Sequence, residues 1–174
     1  ADVARYDGVQ FKPFGPGAGL VDGRINAMTQ DSSGHIWVAT HAGVARFAEG
    51  HFQPLGPDDG LGSPVVVKLI SGPSGNIFAG TAEPASVSAI STQKGSTPPQ
   101  IKALNIGSTE GISRITVLML DDTGRLLIGT DGGGVRILDK ARTLTVIDEA
   151  AGLPGSHIND LAVTPDGALY IATD

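Results

Sequence analysis

Cysteine is absent from the sequence, so disulfides and thiolate metal sites are excluded, which suits the cytosol and an exported protein that avoids stray thiols equally well. Long apolar runs are missing too. None approaches the roughly 20 residues a membrane helix needs, and Ala1-Asp2-Val3 lacks the basic and apolar regions of a signal peptide. These residues read as soluble, and export stays open if a leader was removed. Positive charge is scarce: 12 Lys and Arg against 18 Asp and Glu give a formal charge of −6. No Lys/Arg cluster with interleaved aromatics offsets it, so nucleic acid is not expected as a partner.

What the chain has is glycine and proline, 25 and 11 of its 174 residues, between short runs rich in Val, Ile and Leu. That is the composition of short strands joined by tight turns. With 40% hydrophobic residues the chain can bury a core. An all-β single domain over residues 1–174 is expected.

One pattern recurs along the chain. Asp31-Ser-Ser-Gly34-His-Ile-Trp37-Val-Ala-Thr40 returns as Gly72-Pro-Ser-Gly75-Asn-Ile-Phe78-Ala-Gly-Thr81, as Asp121-Asp-Thr-Gly124-Arg-Leu-Leu127-Ile-Gly-Thr130, and as Thr164-Pro-Asp-Gly167-Ala-Leu-Tyr170-Ile-Ala-Thr173. The threonines lie 41, 49 and 43 residues apart, the size of a four-stranded β-propeller blade. In the first full unit, Ile25 to Gln30 is predicted as strand a. Asp31 to Gly34 forms a tight turn in which Asp accepts backbone N–H bonds and Gly takes positive φ. His35 to Thr40, Val44 to Ala48 and Phe52 to Leu55 follow as strands b, c and d. The units are then 1–23 (strands c and d), 24–64, 65–113, 114–156 and 157–174 (strands a and b), four blade-equivalents in all.

Before each strand a stands a glycine and an apolar residue, Gly19-Leu20, Gly60-Leu61, Gly111-Ile112 and Gly152-Leu153, placed to plug the gap between neighbouring blades. The unit of Thr81 departs from the pattern. Ala82-Glu-Pro-Ala-Ser86 lacks the Gly and Arg of Gly43/Arg46 and Gly134/Arg136, and its c–d hairpin runs long through Gln93 to Pro99, so this blade is expected to protrude or be irregular. The opening Ala1 to Gly8 matches Ala42 to Glu49, and the chain closes just past a strand b. Two arrangements fit: a piece of a larger propeller, which is preferred, or four blade-equivalents that close as a ring or with a second copy.

The consensus D-x-x-G-x-I-W-V-A-T-x-x-G-V-x-R-F, followed by G-L, resembles the two-component regulator propeller repeat over essentially the whole chain, most clearly at Asp31 to Phe47 and Asp121 to Ile137. The resemblance implies the input region of a bacterial signalling protein, in which periplasmic blades precede a membrane helix and a cytoplasmic histidine kinase or diguanylate cyclase. Those parts lie outside these residues, so the membrane enters only through a segment absent here. Thr164 to Tyr170 is also similar to the P-D-G-x-L-W-x-x-T stretch of streptogramin lyases and gluconolactonase-like propellers, which implies an enzyme as the alternative.

Catalytic chemistry has little to stand on. There is no H-E-x-x-H, His-x-His or Asp/Glu cluster and no G-x-S-x-G elbow, so no catalytic residue, metal or cofactor is expected. Asp58-Asp59-Gly60 and Asp121-Asp122 read as turn formers, and Gly132-Gly133-Gly134, with no helix behind it, as a flexible turn rather than a phosphate cradle. His35 and His51 fall on the face opposite the d–a loops and read as solvated turn residues. The b–c turns and d–a loops share the other face, around the central channel. Arg24, Asn26, His41, Arg114, Asp131, His157 and Asn159 fall there. Such a ring suits an anionic or hydroxylated small molecule; the alternative is a set of residues that line a water-filled channel or pair with nearby Asp. Three functions follow: a propeller that senses a small-molecule or protein ligand, a propeller enzyme of the lyase or lactonase type, and a blade array that mediates homodimerisation.

Overall fold

The computed structural model describes residues 2–21, 23–91 and 99–174. Its strands lie in five antiparallel sheets. Three are complete blades: β3 (Ile25–Gln30), β4 (Ile36–Thr40), β5 (Gly43–Ala48) and β6 (His51–Leu55); β7 (Val66–Ser71), β8 (Ile77–Thr81), β9 (Val87–Ser91) and β10 (Gln100–Ala103); β11 (Ile115–Leu120), β12 (Leu126–Thr130), β13 (Val135–Leu138) and β14 (Leu144–Ile147). Each pairs in sequence order. Two hairpins flank them, β1 (Val3–Tyr6) with β2 (Phe11–Phe14), and β15 (Ile158–Val163) with β16 (Leu169–Thr173). The hairpins do not pair with each other, so the sheets form an open arc. No described helix is long and apolar enough to cross a membrane.

The a strands set the order of the arc: β3 packs beside β7, β7 beside β11 and β11 beside β15. Apolar side chains fill each seam from both sides. Trp37, Ala39 and Val44 of one blade meet Leu61, Val66, Leu69 and Ile77 of the next. Val87 meets Ile112, Ile115, Leu118 and Ile128 at the following seam, and Leu127 and Val135 meet Ile158 and Leu161 at the last. No sheet buries its faces alone, which is the physical basis of a repeat architecture. The anchors Leu61 and Ile112 are buried in these seams as their spacing predicts, Leu20 is buried with Phe14, Val38, Ala45 and Phe52 beside the first hairpin, and Leu153 packs against the last seam.

The predicted strands a to d of the first full blade are those observed, except that strand b starts one residue later and strands c and d one residue earlier. Their turns have the predicted chemistry. Asp31 Oδ1 accepts from the Ser33 and His35 amides at 2.9 and 3.0 Å, and Asp121 Oδ1 from those of Thr123 and Arg125 at 3.0 and 2.8 Å. Burial opposes ionisation of Asp121, yet hydrogen bonds from Thr123 and Arg125 outweigh it and hold this carboxyl at about 2, against an ordinary 3.8. A depressed folded-state pKa makes the stabilisation complete above the unfolded value and removes it as pH falls through the folded one. Unfolding free energy is therefore expected to decline from pH 3.8 to about 2, and less steeply in Asp121→Asn; urea titrations across that window measure the difference.

The blade of Thr81 keeps four strands, and β9 and β10 pair without a break from Ser91↔Gln100 to Ser88↔Ala103, while its b–c turn is irregular, with Glu83 left-handed at φ 48°. Its b–c turn replaces the missing glycine with side-chain bonds, from Thr81 Oγ1 to the Pro84 carbonyl and between Thr81 and Ser86 hydroxyls, both at 2.8 Å. The long c–d connection predicted there falls, at 92–98, outside the described residues. His35, read as a solvated turn residue, is half-buried, with Nδ1 3.2 Å from Asp31 Oδ2 and the Arg46 guanidinium 3.0 Å from Nε2.

Candidate functional site

The repeated threonine closes the b–c turn. Thr40, Thr81 and Thr130 are buried, and the hydroxyls of Thr40 and Thr130 donate to the carbonyls of Gly43 and Gly134 at 3.0 and 2.7 Å. The next residue then turns back to its own strand a. The amides of His41, Ala82 and Asp131 donate to the carbonyls of Arg24, Val65 and Arg114 at 3.2, 2.9 and 3.0 Å. The same residues reach the following blade, where Ala82 bridges Arg114 and Asp131 bridges His157. Side chains at these positions therefore gather where one blade meets the next.

The last seam holds the densest cluster. Asp131 accepts from Ser113 Oγ at 2.8 Å and from His157 Nδ1, and forms an ion pair with Arg114, whose Nε lies 3.4 Å away. The Ser113 and His157 bonds, joined by the charges of His157 and Arg114, hold the Asp131 carboxyl below the usual range. Arg114 and His157 keep 59% and 56% of their side-chain surface, so these pairs fix geometry and add little stability. With Nδ1 engaged by a carboxylate, Nε2 is the His157 ring nitrogen left for a ligand.

A second regularity comes from register. Strand a skips one residue against strand b in all four a–b pairs, between Ile25 and Ala27, Val66 and Lys68, Ile115 and Val117, and Ile158 and Asp160. The bulged residues are Asn26, Val67, Thr116 and Asn159, one phase of the repeat. A bulge re-aims the side chain it carries. Asn26 is drawn into the seam, its amide donating to the Val66 carbonyl at 2.7 Å. Val67, Thr116 and Asn159 line a pocket of about 280 Å³ with Lys68, Arg114, Ile115 and Ile158.

Of the residues singled out from sequence, Arg114, Asp131 and His157 thus come together and Asn159 shares a pocket with Arg114. Arg24 and His41 are exposed and joined through the backbone at an earlier blade, and Asn26 bonds the neighbouring strand. Sequence reasoning missed Ser113, Lys68 and Thr116. Ser113 had a signal, since Ser156 precedes His157 as Ser113 precedes Arg114. Gly132 and Gly134, read as a flexible turn, are left-handed at φ 104° and 72° and pressed against backbone carbonyls, so that turn is closely packed. Among the described residues no group of three or more His, Asp or Glu is placed to hold a metal ion.

The chain is similar to known propellers. Among solved structures it resembles the extracellular domain of a protein described as a hybrid two component system from B. thetaiotaomicron, at 21% identity and a TM-score of 0.70, over 88% of this chain and 20% of that one. It also resembles that of a protein described as a one component system from the same organism, at 20% identity and a TM-score of 0.74, over 96% of this chain and 23% of that one. Virginiamycin B lyase from Staphylococcus aureus matches at 14% identity and a TM-score of 0.75, over 98% of this chain and 55% of the lyase. The chain thus spans about a fifth of the two extracellular domains. No curated protein matches it. The two component regulator propeller family model matches residues 19–42, which run from the Gly19-Leu20 anchor through β3 and β4 into the b–c turn. The chain is therefore a β-propeller arc that carries a two component regulator propeller repeat at residues 19–42.

Proposed function

We propose that these blades belong to the periplasmic input region of a bacterial signalling protein and bind a small-molecule ligand at the seam of Arg114, Asp131 and His157. The observation that carries the reading is the cluster itself: an exposed guanidinium and an exposed imidazole held by one carboxylate across two blades. A ligand that engages both side chains contacts two blades at once, and a shift of one against the other is a signal the fold can pass on. The output, a histidine kinase or a diguanylate cyclase, lies in other parts of such a protein.

Saturation-transfer NMR against a panel of carboxylic acids, amino acids and neutral sugars tests this. At least one binder is expected, and Arg114→Ala or His157→Ala should weaken it by about tenfold, ~1.4 kcal/mol, while His51→Ala on the other face leaves it unchanged. Binding that survives both seam substitutions sinks the assignment. The Asp131–His157 pair also favours a second reading, a propeller lyase with His157 Nε2 as general base. Elemental analysis separates the two, since a stoichiometric divalent ion bound near the channel favours the enzyme.

A further inference from the structure

We infer that the pocket among β7, β11 and β15 is a subsite for the carboxylate group of a small organic acid, an assignment that rests on the ligand-binding reading above and narrows it. Three observations converge. The bulge at one phase of β7, β11 and β15 places Val67, Thr116 and Asn159 in the pocket wall. The charged lining is Lys68 and Arg114 with no carboxylate, in a chain whose formal charge is −6. The acids close by are already paired: Asp131 accepts from Ser113 and His157 and forms an ion pair with the lining Arg114, Asp174 accepts from the lining Asn159 amide at 2.7 Å, and Asp160 from the Leu161 amide at 2.9 Å.

Arg114 is half-committed in a useful way. Asp131 faces its Nε, which orients the guanidinium and leaves the two terminal nitrogens for a planar, bidentate acceptor. Lys68 adds a point charge from the neighbouring strand. Val67 supplies an apolar wall for a carbon skeleton, while the Thr116 hydroxyl is buried away from solvent. A volume of about 280 Å³ suits a small acid.

Nitrogen-15 HSQC titrations of the chain with glutarate, its neutral diamide and inorganic sulfate test the inference. Glutarate should give saturable shifts at the amides of Lys68, Arg114, Thr116 and Asn159, the diamide none, and sulfate only weak shifts that do not saturate. Lys68→Gln should lower glutarate affinity by about tenfold and Lys68→Arg should restore it, with the remaining spectrum unchanged because Lys68 is exposed. Equal response to acid and diamide overturns charge selection, and equal response to sulfate overturns the organic acid. If glutarate shifts nothing while a neutral sugar still binds in an Arg114-dependent way, this subsite fails and the broader reading stands. If nothing of either class perturbs this face, both fail.

Discussion

Trp37→Ala is expected to lower the unfolding free energy by about 4 kcal/mol, as for loss of a core aromatic. Trp37 is the single tryptophan of the chain and wholly buried. It pairs with Thr29 and Arg46 across β3 and β5 and joins the apolar cluster that reaches Leu61, Val66 and Leu69 of the next blade. Its removal opens a cavity in a seam, where two rigid sheets cannot easily close over it. A second cost is polar. Trp37 Nε1 donates to Asp31 Oδ2 at 2.9 Å, and Asp31 is itself buried, so the carboxylate loses a donor that water does not replace. Trp37→Phe separates the parts: it keeps most of the ring and loses the bond, at about 1–2 kcal/mol. Urea unfolding followed by circular dichroism should show the alanine midpoint lower by about 2 M, for a slope near 2 kcal/mol per molar. An alanine loss no larger than the phenylalanine loss would mean that the seam collapses around the vacancy.

Gly134→Ala should be nearly as damaging, by roughly 3 kcal/mol or more, for a backbone reason. Gly134 sits at φ 72°, and an added Cβ would lie 2.3 Å from the Ile147 carbonyl oxygen. That oxygen belongs to the neighbouring strand and cannot swing away as a side chain would. Gly152 is the control: it too is left-handed, at φ 95°, but nothing lies within 4 Å of its missing Cβ. Gly152→Ala then carries only the conformational penalty, about 1 kcal/mol. Thermal unfolding of the two variants side by side measures the clash itself, and equal destabilisation would refute it. Gly43 stands before Val44 as Gly134 stands before Val135, and its added Cβ would meet the Leu55 carbonyl oxygen in the same way, at 2.3 Å, so glycine is a steric requirement of the b–c turn in these two blades.

The blades were legible because their signals are local. Asp, Gly and Thr at fixed offsets each perform a bond or a turn within ten residues, and strands β3 to β6 lie within one residue of where those offsets place them. Interactions between blades were not legible. Asn26 and Asn159 share a phase and looked alike, yet one bonds the next strand and the other points to Asp174. Arg46 and Arg136 look alike in sequence but stand one rung apart, opposite Trp37 and Ile128, so Arg46 lies against Trp37 and His35, whereas Arg136 reaches the Gly133 carbonyl and burial lowers its pKa. The bulges that define the pocket are invisible to residue counting, since a ladder's slip appears only when both strands are paired. The short helical turns before the Gly-Leu anchors were missed for a related reason. Asp59 closes one by accepting from the Gly56 amide at 2.8 Å and Asp148 another by accepting from Ala151 at 3.2 Å; from sequence Asp59 reads only as a turn former.

The solitary Trp37, sealed between two blades, also makes the chain its own optical probe. Its emission reports the environment of one seam, while far-ultraviolet ellipticity averages over every sheet. In a repeat array the blades are coupled only to their neighbours, so melting curves from the two signals need not coincide. A gap between them would measure how far one end of the arc loosens before the other.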